Sequence, residues 1–205
     1  MEYESIQKIY KLYSGFYDLL FKQIFFPRQE YAISQMDIKP GDKVLDVGIG
    51  TGLTLGCYPK DCHVTGIDLS AAMLKKAHHK KNKLGLDNVT LLEMDACELA
   101  FDDNQFDHVI STFVLTVVPD PVKALSEMKR VCKKGNSIVF INHFASENKF
   151  LAWTEDKLDP LCRKLGWRNT ESLSDLSARA NLEIASCTLL KKFDLWPIVF
   201  ATNNK

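Results

Sequence analysis

The feature that most constrains this chain is Val44-Leu45-Asp46-Val47-Gly48-Ile49-Gly50-Thr51-Gly52, an apolar strand-like run passing directly into a loop with glycine at every second position. Glycine there admits positive φ and lets the backbone approach a ligand that a side chain would hold off. Asp68 stands twenty residues after Gly48, at the end of the next strand-like run, where a carboxylate accepts hydrogen bonds from ribose hydroxyls. Asp95, in Met94-Asp95-Ala96, ends the third run and is placed to meet an adenine edge. Each acid also has a plainer reading: Asp46 capping the loop, Asp68 solvated at a strand end, Asp95 opening a turn. The plain readings do not predict three acids at three successive strand ends. In an open α/β sheet that edge binds ligands.

From about residue 43 short β-branched runs alternate with amphipathic stretches, which predicts βα units and a mostly parallel sheet. The runs are Lys43–Val47, His63–Ile67, Val89–Leu92, Asp107–Val114, Ser137–Asn142, Leu182–Leu190 and Trp196–Thr202. Ser70 is an N-cap for a helix running to Leu84, and Asp120-Pro121 opens another running to Cys132. Asn148–Leu165 and Ser172–Ala180 are further amphipathic stretches, and the short Lys191–Leu195 connection suits an antiparallel pair. No linker divides the 205 residues, so we expect one domain, 1–205, with a helical lid over 1–36 and a core over 37–205.

Composition narrows the partners. Lys+Arg and Asp+Glu both number 26, so bulk charge does not favour nucleic acid. No apolar run is long enough to span a bilayer, and the start Met-Glu-Tyr-Glu-Ser lacks a signal-peptide layout, which gives an expected cytoplasmic location. The six scattered cysteines have no metal-finger spacing and read as reduced, mostly buried side chains. Adjacent His78 and His79 point in different directions on a helix, so no metal site is expected.

A dinucleotide-binding loop would carry glycine at position 53, where this chain has Leu53. The Gly-x-Gly-x-Gly variant with Asp46 ahead of it resembles motif I of the class I S-adenosylmethionine-dependent methyltransferases. The resemblance continues in order through Gly66-Ile67-Asp68-Leu69-Ser70 with Met73-Leu74, Met94-Asp95-Ala96, Phe106-Asp107-His108-Val109-Ile110, Val114-Leu115 with Pro119-Asp120, and Leu125 with Arg130-Val131. It implies an α/β, Rossmann-like fold: a mostly parallel seven-stranded sheet with an antiparallel C-terminal hairpin and an N-terminal helical lid. It also implies S-adenosylmethionine as cofactor, bound by Tyr17, Asp46, Gly48, Gly50, Gly52, Asp68, Leu69, Met73, Asp95, Ala96 and Thr112. Asp68 would hold the ribose, Asp95 and the Ala96 amide the adenine, and Ser111-Thr112-Phe113 would line the methyl-donor side. In-line methyl transfer needs alignment and exclusion of water, with no metal or nucleophilic side chain.

Tyr13-Ser14-Gly15-Phe16-Tyr17-Asp18, Val118-Pro119-Asp120-Pro121, Asn142-His143 and Leu161–Arg168 resemble bacterial phosphatidylethanolamine N-methyltransferases of the soluble, PmtA-like type. The N-terminal Tyr-Asp pair occurs also in quinone C-methyltransferases of the UbiE-like type, so a soluble or quinone-like acceptor stays open, as does a non-catalytic nucleoside-binding protein. On the lipid reading Tyr13, Tyr17, Asn142 and His143 form the catalytic pocket, and Arg163 and Arg168 take the lipid phosphate. His143 has the alternative of capping neighbouring backbone, and Arg163 that of a solvated helix face. The expected partners are a phospholipid substrate and the inner face of the cell membrane, contacted peripherally through an aromatic N-terminal segment. The oligomeric state is open. The cationic run from Lys75 to Lys83 is either a solvated helix face or a contact for anionic lipid.

Overall fold

The computed structural model describes residues 25–145, 172–191 and 194–205. In chain order these form α1 (Phe26–Ser34), β1 (Lys43–Val47), a 3₁₀ turn (Leu53–Gly56), β2 (His63–Asp68), α2 (Ala71–Leu84), β3 (Val89–Glu93), β4 (Phe106–Thr112), α3 (Pro121–Val131), β5 (Cys132–Ile141), α4 (Leu173–Arg179), β6 (Glu183–Thr188) and β7 (Ile198–Thr202). The seven-stranded sheet has the order β3-β2-β1-β4-β5-β7-β6. β1 to β5 pair in parallel, and β7 runs antiparallel to both β5 and β6. The expected α/β sheet with an antiparallel C-terminal pair is the observed one.

Alternation along the strands supplies both faces of the sheet with apolar side chains, as a sheet covered on two sides requires. Leu45, Val47, Ile138 and Phe140 pack with Ala124, Leu125 and Met128 of α3 and Leu176 of α4. Val44, Val64, Val139 and Ile141 pack on the other face with Ala32 and Ile33 of α1 and Leu74 and Ala77 of α2. The helix starts follow local chemistry: Ser70 Oγ accepts from the Met73 amide, and Asp120 Oδ1 from the Lys123 amide with Pro121 in the first turn. α2 ends at Gly85 in the left-handed conformation, φ 63°.

Because strand order reverses between β1 and β4, the carboxyl ends of these strands flank the crevice where such sheets take ligands. Lys75, Lys76, His78, His79 and Lys83 lie exposed along α2. Cys62, Cys97 and Cys132 are buried and Cys57 partly so, whereas Cys187 is exposed on the edge strand β6. Among the described residues no helix is long and apolar enough to cross a membrane, and no cluster of His, Cys, Asp and Glu stands ready for a metal ion.

Candidate active site

The glycine loop turns back over the end of β2. The amides of Gly48 and Ile49 both donate to the Ile67 carbonyl, at 2.8 and 2.9 Å, and all three loop glycines have positive φ, 77°, 56° and 71°. Two of them are glycine because protein fills the space. A Cβ on Gly48 would lie 2.1 Å from a Val114 methyl, and one on Gly52 would lie 2.6 Å from Leu55 Cδ1. Gly50 differs: a Cβ there would meet only the Gly48 carbonyl oxygen, at 4.0 Å. Its outer side is therefore open, as backbone apposed to a ligand must be. Gly66 in β2 has its own reason, since a Cβ would sit 2.4 Å from Ile49 Cδ1.

Asp68 ties this loop to β2. Its Oδ2 accepts from the Gly50 amide at 2.9 Å and its Oδ1 from the Ser70 amide at 2.8 Å. Burial raises its pKa and the two backbone donors oppose that rise. Beside it Leu69 is left 40% exposed, an apolar surface next to a carboxylate at the ligand edge. Met73 is half-buried one turn into α2. At the end of β3, Asp95 Oδ1 accepts from the Cys97 amide at 2.8 Å, so it does open a turn, and Ala96 is buried behind it.

Two of the nominated cofactor residues are buried and engaged with protein groups. Asp46 is 1% exposed, and its Oδ2 accepts from Thr54 Oγ1 at 2.8 Å and Tyr58 Oη at 2.7 Å. It braces the segment after the loop from beneath. Thr112 is likewise buried, its hydroxyl accepting from Gln29 Nε2 of α1 at 2.8 Å, so it holds α1 to the sheet. Tyr13, Tyr17, Arg163 and Arg168 lie outside the described residues, as do most of the N-terminal lid and the Asn148–Leu165 stretch.

Burial lifts the Asp46 carboxyl from 3.8 to about 6, against the opposing hydroxyls of Tyr58 and Thr54 and with Asp68 adding repulsion. The folded value is the higher one, so protonated Asp46 contributes stability below the unfolded value, and that contribution is lost as pH rises through the folded value. Asp46→Asn therefore gains stability relative to the parent by up to roughly 3 kcal/mol between about pH 4 and pH 7. Urea melts of both proteins across that range check this; a pH-independent difference contradicts it.

The neighbouring stretch of this sheet edge is built from the ends of β4 and β5. Phe113 leaves β4 with φ 63°, a conformation a bulky residue adopts only under constraint, and its amide donates to the Ile141 carbonyl at 2.7 Å. The turn places its ring edge-on to Phe25, centroids 4.6 Å apart, and Phe25 in turn meets Trp196 at 5.0 Å. Just past the end of β5, Asn142 is 1% exposed, and neither its Oδ1 nor its Nδ2 has a hydrogen-bond partner among the described residues. Ser111 Oγ, on the same face of the sheet, is in the same condition. Buried polar atoms without partners are costly, and Gln29 Oε1, Asp46 Oδ1 and Asn203 Oδ1 share the condition.

His143 Nδ1 lies 3.0 Å from the Leu195 carbonyl oxygen. A carbonyl only accepts, so Nδ1 carries a proton. The backbone-capping alternative for His143 is thus realised, across 52 residues of sequence. Sequence reasoning missed the clamp that holds this side together. The Arg28 guanidinium grips Asp194 through Nε, 3.1 Å from both carboxylate oxygens, and through a terminal nitrogen at 2.6 Å, and it stacks 5.4 Å from the Trp196 ring. These partners are 166 residues apart, and nothing local announces them.

Comparison with known proteins supplies the family. A family described as methyltransferase domain matches residues 45–140. The chain is 38% identical over 189 residues to a phosphatidylethanolamine N-methyltransferase of Cereibacter sphaeroides, covering 92% of each. It is 35% identical to a demethylmenaquinone methyltransferase of Bacillus mycoides over 66% of this chain, which is 61% of that protein. The crystal structure of a SAM dependent methyltransferase from Aquifex aeolicus superimposes with a TM-score of 0.67 at 24% identity, covering 95% of this chain and 96% of the other. The open Gly50, the half-buried Asp68 and the exposed Leu69 fit a nucleoside with a ribose diol. This chain belongs to the class I S-adenosylmethionine-dependent methyltransferases, and S-adenosylmethionine is its cofactor.

Proposed function

We propose that this enzyme methylates the amine of phosphatidylethanolamine, toward phosphatidylcholine, at the cytoplasmic surface of the membrane. The observation that carries the reading is the 38% identity to a phosphatidylethanolamine N-methyltransferase over 92% of both chains. The match to the demethylmenaquinone enzyme stops at 61% of that protein. It supports quinone-precursor methylation as the second reading.

When bound, S-adenosylmethionine supplies a methyl group on a sulfonium whose positive charge disappears on transfer. In this reading Asp68 accepts the ribose hydroxyls, Gly50 brings backbone against the methionine part, and Leu69, Met73, Asp95 and Ala96 border the adenine. The aromatic wall of Phe25, Phe113 and Trp196 excludes water and favours a cationic head group. Asn142, with its unpaired amide, orients the acceptor. An ammonium has no lone pair, so the amine must be neutral to attack; His143 accepts that proton or orients the amine. Tyr13 and Tyr17 close over the pocket, and Arg163 and Arg168 bind the lipid phosphate.

His143→Ala is expected to lower turnover about tenfold to hundredfold with donor affinity nearly unchanged, because only the acceptor side is touched. Calorimetry for binding and a methyl-transfer assay for rate separate the two; equal losses in both contradict the assignment. The function itself is tested by incubating labelled donor with total bacterial lipid and separating the products. Label in phosphatidylethanolamine derivatives is the expected result; label in the quinone fraction establishes the second reading.

A further inference from the structure

We propose that the connection between β6 and β7 is an interfacial anchor that seats the acceptor side of the enzyme on a phospholipid bilayer. Topology places it there. Thr188, Ile198 and Ile141 are paired in register across β6, β7 and β5, so the chain leaves β6 at the same sheet edge that carries Asn142 and His143. From β4 to β6 is three strand spacings, about 14 Å along that edge.

The surface of this connection is unusual for protein facing water. Leu189, Leu190 and Leu195 are 51%, 37% and 56% exposed, and they are half of the six large apolar side chains that stand exposed among the described residues. Lys191 is exposed between them. The nearby acid is withdrawn: the Asp194 side chain is wholly buried against Arg28. Among the described residues of the connection, what stands outward is apolar surface with a cation, which suits the boundary between acyl chains and anionic head groups.

The connection is also fixed to the site. The Leu195 carbonyl accepts from His143, and the following Trp196 packs edge-to-face with Phe25, which in turn meets Phe113 at the end of β4. Seating the leucines in a bilayer therefore sets the height of the acceptor pocket above the lipid. The purpose of the anchor rests on the lipid reading above, whereas vesicle binding is measured without it.

The test uses the full chain and vesicles of phosphatidylethanolamine with phosphatidylglycerol, read by sedimentation. Leu189→Asp with Leu190→Asp is expected to lower the vesicle-bound fraction at least about tenfold. Melting temperature and S-adenosylmethionine binding stay at parent values, because these side chains fill no core. Leu195→Asp, made separately because its carbonyl meets His143, is expected to show the same loss. Methylation of bilayer phosphatidylethanolamine falls in these variants, while that of a short-chain, monomeric phosphatidylethanolamine does not fall in the Leu189/Leu190 variant. Leucine-dependent vesicle binding in a protein that methylates neither lipid supports the anchor and removes the proposed acceptor. Parent-like vesicle binding by the variants overturns the proposal, as does a parent that ignores vesicles. A dimer of the parent that the double variant dissolves also overturns it, by assigning the surface to a second copy.

Discussion

Gly48→Ala is expected to destabilise the protein by about 2–5 kcal/mol, the largest effect of any single methyl added to the loop. Two costs combine. Holding alanine at φ 77° costs roughly 1–2 kcal/mol, and forcing a Cβ to 2.1 Å from a Val114 methyl adds about 1–3 kcal/mol of overpacking. At roughly 2–4 °C per kcal/mol for a chain of this size, the loss is visible in a thermal melt. Val114→Ala in the same chain removes the collision and leaves the backbone cost, so the double variant is expected to recover part of the stability lost to Gly48→Ala. A double-mutant cycle with no coupling between the two positions contradicts the contact.

Asp68→Ala is expected to lower S-adenosylmethionine affinity at least tenfold. A carboxylate hydrogen bond contributes about 1.5–3 kcal/mol, and the ribose offers two hydroxyls. The substitution also frees the amides of Gly50 and Ser70, which Asp68 now holds at 2.9 and 2.8 Å, so the loop loses its tie to β2. Asp68→Asn separates the two effects: it keeps one accepting oxygen and most of the volume but removes the charge. Its affinity is expected to fall between those of the parent and the alanine variant, with a smaller loss in melting temperature. Unchanged calorimetric binding in Asp68→Ala contradicts the placement of the donor.

What was legible in the sequence was local. Ser70 and Asp120 cap the helices they announce, and the seven strand-like runs became the seven strands. Boundaries slipped where tertiary contacts intervene. The fourth run was expected to reach Val114, but β4 ends at Thr112 because Phe113 turns into positive φ. The fifth was expected from Ser137, yet β5 begins at Cys132: α3 passes straight into it, and the Asn203 side chain donates to the carbonyls of Lys129 and Cys132 at the junction.

Within the site, composition could nominate acids but not their partners. Asp46 and Asp68 look equivalent in the motif, yet one is sealed under Thr54 and Tyr58 and the other sits at the open edge. The glycines could be nominated but not ranked, since only the packing of Val114 and Leu55 sets Gly48 and Gly52 apart from Gly50. Arg28 and Asp194 could not be paired at all, because a buried ion pair between distant segments leaves no periodicity behind.

We propose above that the site around Asn142 and His143 methylates the phosphatidylethanolamine amine. It is tested most directly by offering the purified enzyme deuterated S-adenosylmethionine and mixed vesicles of phosphatidylethanolamine and demethylmenaquinone, then reading both lipids by mass spectrometry. The account predicts labelled methyl groups on the ethanolamine nitrogen, reduced in His143→Ala, with the quinone unchanged. Label on the quinone ring and none on the amine contradicts it.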